Sequence, residues 1–170
     1  MIFRLSQKLN AKIKAGTLPA LPLDENPFVD WSANLFHADR TQYVLLTNTK
    51  SLYSTVFFGK GITDESELVD RALSSLRDFM HADGQEFVFR RLVASAAATV
   101  HFAKALNRSV IGSMNELVRF ATFHLVEDEI SPFDVGFRLN EIPFSSLNYA
   151  NPREEFKQLV GNAHRSENKI

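Results

Sequence analysis

The stretch over residues 107–126, NRSVIGSMNELVRFATFHLV, constrains the fold most, because its apolar residues recur with the spacing of a long amphipathic helix. At about 100° per residue, one broad arc of this helix is apolar. We expect that arc to face a core; it holds Val110, Met114, Leu117, Val118, Ala121 and Leu125. Phe120 and Phe123 lie outside the arc, which indicates a helix covered on two sides or an aromatic patch for a partner. Ser109 is expected to cap the start.

The length and composition are those of one ordinary globular domain. The 170 residues are 45% hydrophobic and 23% charged, so a single core can form. We predict one domain over residues 1–160, followed by a polar, frayed tail over residues 161–170. The net charge of -1 provides no field to attract nucleic acid or an anionic membrane.

The absence of cysteine and of a signal-peptide pattern favours a cytoplasmic location. The chain has no cysteine, which excludes disulfides, thiolate nucleophiles and Cys-ligated metals. The N-terminal segment has no apolar run of signal-peptide length, and no segment is long enough to span a membrane. We therefore expect a cytoplasmic protein without a membrane partner.

Alternating apolar residues and strand-forming residues predict a sheet in the first third of the chain. In residues 42–47 the apolar residues run together, which predicts a strand buried on both faces. Residues 1–5, 31–36, 42–47 and 52–58 have strand character, and the short turns between the last three predict an antiparallel meander. Residues 97–104 can extend a helix or form a further strand, and we predict the strand. A proline-rich connector occupies residues 17–28.

Helical periodicity accounts for most of the remaining chain. An acidic turn after residue 126 and a mostly irregular segment over residues 137–149 precede the last helix. The predicted helices cover residues 6–14, 63–80, 85–95, 107–126 and 151–160. Together these elements predict an α+β fold: an antiparallel sheet of four to five strands with helices packed on one face, and a long central helix near residues 108–126.

Four segments carry a resemblance to a known family. They are MIFRLSQKL; WSANL with VLLTNTKSLYS; NRSVIGSMNEL; and LNEIPFSSL followed by NPREEF. Together they resemble an uncharacterised family of small bacterial proteins, a domain of unknown function sometimes labelled plasmid-related. The resemblance covers residues 1–160 and implies a bacterial or mobile-element setting, with the chain as one unit. It implies no activity or catalytic residue.

Motifs for metal binding and nucleophilic catalysis are missing. No two histidines have the spacing of a helical metal motif; they are His37, His81, His101, His124 and His164. Ser109 and Ser113 lack the G-x-S-x-G sequence of a nucleophile elbow. We therefore predict no metal and no cofactor, name no catalytic residue, and favour a protein that is not an enzyme.

The start of the central helix is the predicted anion or partner site. The backbone N–H groups at a helix start favour an anion, and Arg108 can grip a phosphate or carboxylate with two hydrogen bonds. Alternatively, Arg108 pairs with an acid such as Glu116. The candidate residues are Asn107, Arg108, Ser109, Asn115 and Arg119.

A basic patch near the N-terminus is a second, weaker candidate. Arg4, Lys8, Lys12 and Lys14 precede the first acid, Asp24, and such a patch can bind phosphate. A solvated helix face explains the same pattern.

Two hypotheses about function follow. The first is a non-enzymatic binding or regulatory module with a protein partner from a mobile element or a toxin–antitoxin pair. The alternative is an enzyme on a phosphorylated or nucleic-acid substrate, with Arg108, Asn115 and Arg119 as its polar cluster. Nucleic acid is the less favoured ligand, although Trp31, Tyr43 and Tyr53 on a sheet could stack bases.

Overall fold

The computed structural model describes residues 1–167 and contains a five-stranded sheet with helices on both faces. The strands are β1 (Ile2–Leu5), β2 (Asp30–Ala38), β3 (Thr41–Asn48), β4 (Ser54–Phe58) and β5 (His101–Lys104). The helices are α1 (Gln7–Ile13), α2 (Glu65–Ala82), α3 (Glu86–Val88), α4 (Arg108–Val126), α5 (Pro132–Leu139) and α6 (Pro152–Glu167). The predicted α+β class is confirmed, including the strand within residues 97–104.

The sheet is mixed, which corrects the predicted antiparallel sheet. Its strand order is β4-β3-β2-β1-β5. The predicted meander is present, because β3 pairs antiparallel with β2 and β4. However, β1 pairs parallel with both β2 and β5. The short turns of the meander are visible in the sequence, whereas both parallel pairings join segments separated by helices and long connections, so no local signal reports them.

The first face of the sheet, which we define as the one bearing Trp31, Val44 and Leu46, carries the larger core. Helices α1, α2 and α6 pack on it. Leu76 of α2 and Phe156 of α6 have no solvent exposure. This face is apolar along almost its whole length, so its cover needs only shape complementarity and excludes water.

The second face bears Phe36, Leu45 and Val56 and is covered by α4 and α5, which corrects the prediction of helices on one face. The reason lies in β3, where Val44 and Leu46 point to the first face and Leu45 points to the second. All three are fully buried, and a strand that is apolar on both sides requires cover on both sides.

One half of the second face is polar although it is buried. Arg4 on β1 binds Asp30 on β2 through two hydrogen bonds, Nε–Oδ1 at 2.8 Å and Nη2–Oδ2 at 2.7 Å. The same guanidinium donates to the carbonyls of Leu21 and Pro22 at 2.9 and 2.7 Å. A buried charge pair therefore ties the proline-rich connector across the sheet, in addition to the packing of Leu18 and Phe28 in the first core.

The caps of the two longest helices differ. Asp64 caps α2 by accepting from the Glu67 N–H at 2.9 Å, while Glu67 accepts from the backbone and hydroxyl of Thr63. These bonds lower the pKa of Glu67. Asn107, not Ser109 as predicted, caps α4, because its Oδ1 accepts from the Val110 N–H at 3.0 Å.

Helix α5 is absent from the sequence prediction and covers the outer edge of β4. Its residues serve both cores, since Val135 and Leu139 pack on the second face and Phe137 on the first. Just after it, Asn140 exchanges two hydrogen bonds with the backbone of Ser54, at 2.7 and 2.9 Å. The amide side chain thus occupies backbone groups that an edge strand would otherwise leave unpaired.

The last helix is longer than predicted. The sequence predicts an end near residue 160, whereas α6 continues to Glu167, and Ala163 packs against the first core beyond Gly161. That the tail over residues 161–170 is frayed stays a prediction, and residues 168–170 lie outside the described part of the chain.

Candidate functional site

A cleft of about 810 Å³ lies at the carboxyl ends of β1 and β5. Leu5 and Lys104, the last residues of these strands, line it together with the residues that follow them. Helix α1 forms one wall and α4 another. A volume of this size lies within the range of about 300–1,000 Å³ that is typical of small-molecule sites.

The cleft opens here because the chain leaves the two neighbouring strands towards opposite faces. After β1 the chain enters α1 on the first face, and after β5 it enters α4 on the second face. In open sheets with parallel strands, such a reversal separates the two connections and leaves a crevice at the carboxyl ends. The topology therefore creates the cleft.

The charged groups of the cleft are positive. Lys8 and Lys104 line it, are exposed, and form no ion pair among the described residues. Arg4 also contributes to the lining, but its guanidinium is held by Asp30. No carboxylate occurs among the described lining residues, so two lysine charges remain uncompensated in the cleft.

Three asparagines supply neutral polar groups. They are Asn10 on α1, Asn34 on β2 and Asn115 on α4. Asn10 donates from Nδ2 to the Gly16 carbonyl at 2.8 Å, while its buried Oδ1 has no hydrogen-bond partner among the described residues. A buried acceptor without a partner is unfavourable by about 1–3 kcal/mol, so a donor from a ligand at this atom would be stabilising.

Most of the remaining lining is apolar, although Ser6, Gln7, Thr17 and Ser32 also contribute to it. Leu5, Leu18 and Leu35 contribute from the side of the first core. From the second side come Phe36, Val110, Ile111, Met114 and Val118. The cleft therefore combines apolar walls with a few polar groups, which is the usual composition of a small-molecule site.

The structure does not bring the five predicted site residues together in the cleft. Asn115 lines the cleft, whereas Asn107, Arg108, Ser109 and Arg119 do not. Arg108 is exposed and has no ion pair among the described residues, and Arg119 lies 3.8 Å from Glu116 on the surface of α4. Their role as an anion or partner site stays a prediction. The space around Gly112 of α4 is open, so no other described part of the chain approaches the helix closely at this glycine.

The residues of the predicted N-terminal basic patch also lie in different environments. Arg4 is buried in its pair with Asp30, Lys12 bonds Gln42, and Lys8 reaches the cleft. The sequence reasoning did not identify Asn10, Asn34 or Lys104 as site residues. Only the position of Lys104 at the end of a predicted strand could have indicated it, and that signal requires knowledge that β5 lies beside β1.

A second polar cluster joins α2, β4 and α6 away from the cleft lining. The Tyr53 hydroxyl donates to Asp83 at 2.7 Å, and Arg153 binds the same carboxylate at 3.0 Å. Burial, together with the bond to Asp83, raises the pKa of Tyr53. The phenol stays protonated at any physiological pH, so the cluster is suited to hold elements together rather than to transfer protons.

Neither a metal site nor a membrane-spanning helix occurs in the described part of the chain. No group of three or more histidines and carboxylates among the described side chains has an arrangement that could hold a metal ion. None of the helices within residues 1–167 combines the length and apolar character required to cross a bilayer.

One protein family matches most of the chain. It is described as a domain of unknown function, DUF6933, and the match covers residues 2–155. The chain belongs to this family. No curated protein matches it. Since the family description contains no activity, the function must be argued from the cleft.

Proposed function

We propose that this member of the DUF6933 family is a binding and regulatory module that takes a small molecule in the cleft between α1 and α4. One observation carries the proposal: the cleft at the ends of β1 and β5 has apolar walls, two uncompensated lysines and three asparagines. Such a set binds and orients a ligand. The described lining contains no histidine or carboxylate that could act as a general base.

Helix α4 provides a route from the ligand to a partner. Ile111 and Asn115 line the cleft, and Phe120 and Phe123 are exposed further along the same helix, at 38% and 53%. A ligand that shifts or rigidifies α4 would alter this aromatic surface, where a protein partner can dock. This is the binding or regulatory module expected from the sequence.

The biological setting is proposed from the resemblance stated on the sequence. Small plasmid-related bacterial proteins imply a bacterial cytoplasm and a partner linked to a mobile element or a toxin–antitoxin pair. The cysteine-free composition is compatible with a reducing compartment.

The alternative is an enzyme that acts on a phosphorylated or nucleic-acid substrate. Asn115, a member of the polar cluster predicted at the start of α4, lies in the cleft with Lys8 and Lys104. Amide and ammonium groups can stabilise a transferring phosphoryl group. In this reading the lysines neutralise charge that develops in the transition state.

A ligand screen with a blocked variant tests the proposal. A small-molecule library should contain compounds that raise the Tm of the wild type, since a ligand that binds only the folded state stabilises it. Ile111→Glu places a charge in the cleft at a residue that is 44% exposed, so the variant should fold and lose this effect.

Phe120→Glu is the matched control, because it places the same charge on the same helix outside the lining. It should respond to the library as the wild type does. A library that stabilises the wild type and Ile111→Glu equally would contradict binding in the cleft. Turnover of a phosphorylated compound, lost in Ile111→Glu, would favour the enzyme.

A further inference from the structure

We infer that the ligand of the cleft is an anion with an apolar body, bound through its charge to Lys8 and Lys104 and through its body to α4. This inference rests on the proposed function and adds the chemical class of the ligand. The shared chemistry is one negative group, whether carboxylate, sulfonate or phosphate, attached to an aromatic or aliphatic body.

The charge of the ligand follows from the balance of charges in the cleft. Lys8 and Lys104 lie on different elements, α1 and β5, and both contribute to the same cavity. No carboxylate among the described residues of the lining offsets them. In a cleft with apolar walls the field of such charges is concentrated, so an anion is favoured over a neutral or cationic ligand.

The type of cation determines how selective the anion site is. The planar guanidinium of Arg4 would favour a carboxylate or phosphate in one orientation, but both of its edges are engaged by Asp30 and by backbone carbonyls. The two lysines are compact, mobile charges. We therefore expect them to tolerate different anionic groups, with little discrimination by the geometry of the head group.

The apolar body follows from the walls of the cleft. Ile111, Met114 and Val118 recur on one side of α4, and Leu35 and Phe36 of β2 also line the cleft. A bare inorganic ion would leave these walls in contact with water, whereas an apolar body removes water from them. The volume of about 810 Å³ also exceeds the requirement of a simple ion.

A matched pair of probes tests the charge. 1-Naphthoate and 1-naphthylmethanol have the same body and differ in the carboxylate, and isothermal titration calorimetry measures both. We expect 1-naphthoate to bind at least about tenfold more tightly, as the gain of a charge-assisted contact implies. Inorganic phosphate alone should bind more weakly than 1-naphthoate, because it lacks the body.

A pair of double variants tests the lysines. Lys8→Gln with Lys104→Gln should reduce the affinity for 1-naphthoate about tenfold or more and leave that for 1-naphthylmethanol unchanged. Lys50→Gln with Lys60→Gln is the matched control, since both residues are exposed and neither lines the cleft. It removes the same net charge and should leave both affinities unchanged.

The outcomes separate this inference from the proposed function. Equal binding of the two probes, or equal loss in the two double variants, would overturn the anionic class while binding in the cleft stands. The anionic class is also overturned, while binding in the cleft stands, if library compounds stabilise the wild type but not Ile111→Glu and 1-naphthoate does not bind. If neither the probes nor any library compound distinguishes the wild type from Ile111→Glu, both proposals are overturned.

Discussion

The two faces of the sheet are built on different principles. On the first face, Trp31, Val44 and Leu46 meet α2 and α6 in a continuous apolar core. On the second face, apolar packing against α4 covers only the half around Leu45, and the other half buries Arg4 with Asp30 and the hydroxyl pair Thr47–Ser54. Both faces exclude water, but only the second depends on specific partners.

The difference indicates which part of the sheet is buried in the less stabilising way. A buried ion pair is seldom more stable than an apolar replacement, because both charges lose their hydration. The polar half of the second face supplies Arg4, Ser32 and Asn34 to the cleft. Departures from simple core construction are expected at functional sites, and here they coincide with the cavity.

The largest effect should come from breaking the pair beneath the cleft. Arg4→Met leaves Asp30 buried without a counter-charge, and we expect a loss of about 3–5 kcal/mol in the free energy of unfolding, measured by denaturant titration. The double variant Arg4→Met with Asp30→Leu removes both charges and should recover most of this loss. A single variant no less stable than the double variant would show that the second face does not depend on its partners.

A smaller effect should distinguish the two apolar cores. Leu76 of α2 and Leu117 of α4 have no solvent exposure, and each belongs to the buried stripe of its helix. Replacement with Ala costs about 2–5 kcal/mol, depending on how far the site relaxes. Leu117 lies in the smaller core on a helix that borders the cleft, so we expect Leu117→Ala to cost less than Leu76→Ala in the same titration. The reverse order would mean that the second core is packed as rigidly as the first.

The smallest effect is expected on the outer surface of α4. Arg108 is exposed without an ion pair in the described part of the chain, so Arg108→Ala should change the free energy of unfolding by less than about 0.5 kcal/mol. A tenfold loss of binding to a partner in this variant, measured by titration, would then assign a function to the residue. A clear drop in Tm would instead show that Arg108 has a structural role.

Much of the fold could be predicted from local patterns. The alternation in β2, the apolar run in β3 and the apolar arc of α4 that holds Met114, Leu117 and Ala121 are properties of short segments. The parallel position of β1 could not be predicted, because it depends on pairing between distant segments. Helix α5 is hard to predict because its eight residues, PFDVGFRL, are few and include Gly136, although Ser131 followed by Pro132 is a helix-start signal.

The site was predictable only in fragments. The sequence places Asn115 in the predicted anion or partner site and Lys8 in the N-terminal basic patch, and both residues line the cleft. Their convergence with Lys104 arises from the strand order, which no spacing in the sequence reports. Arg4 illustrates the opposite error, since its place in a basic segment conceals a buried partner, Asp30, that lies 26 positions away.

The central place of β1 has a consequence during synthesis of the chain. This strand is made before the other four, yet its second neighbour, β5, begins about a hundred residues later. At ribosomal rates of about 5–20 residues per second, β1 waits on the order of ten seconds for that neighbour. During this interval the sheet of the nascent chain ends in an unprotected strand, which can pair with another chain or recruit a chaperone. Polypeptides that stop before His101 should therefore accumulate as aggregates, whereas the full chain closes the gap itself.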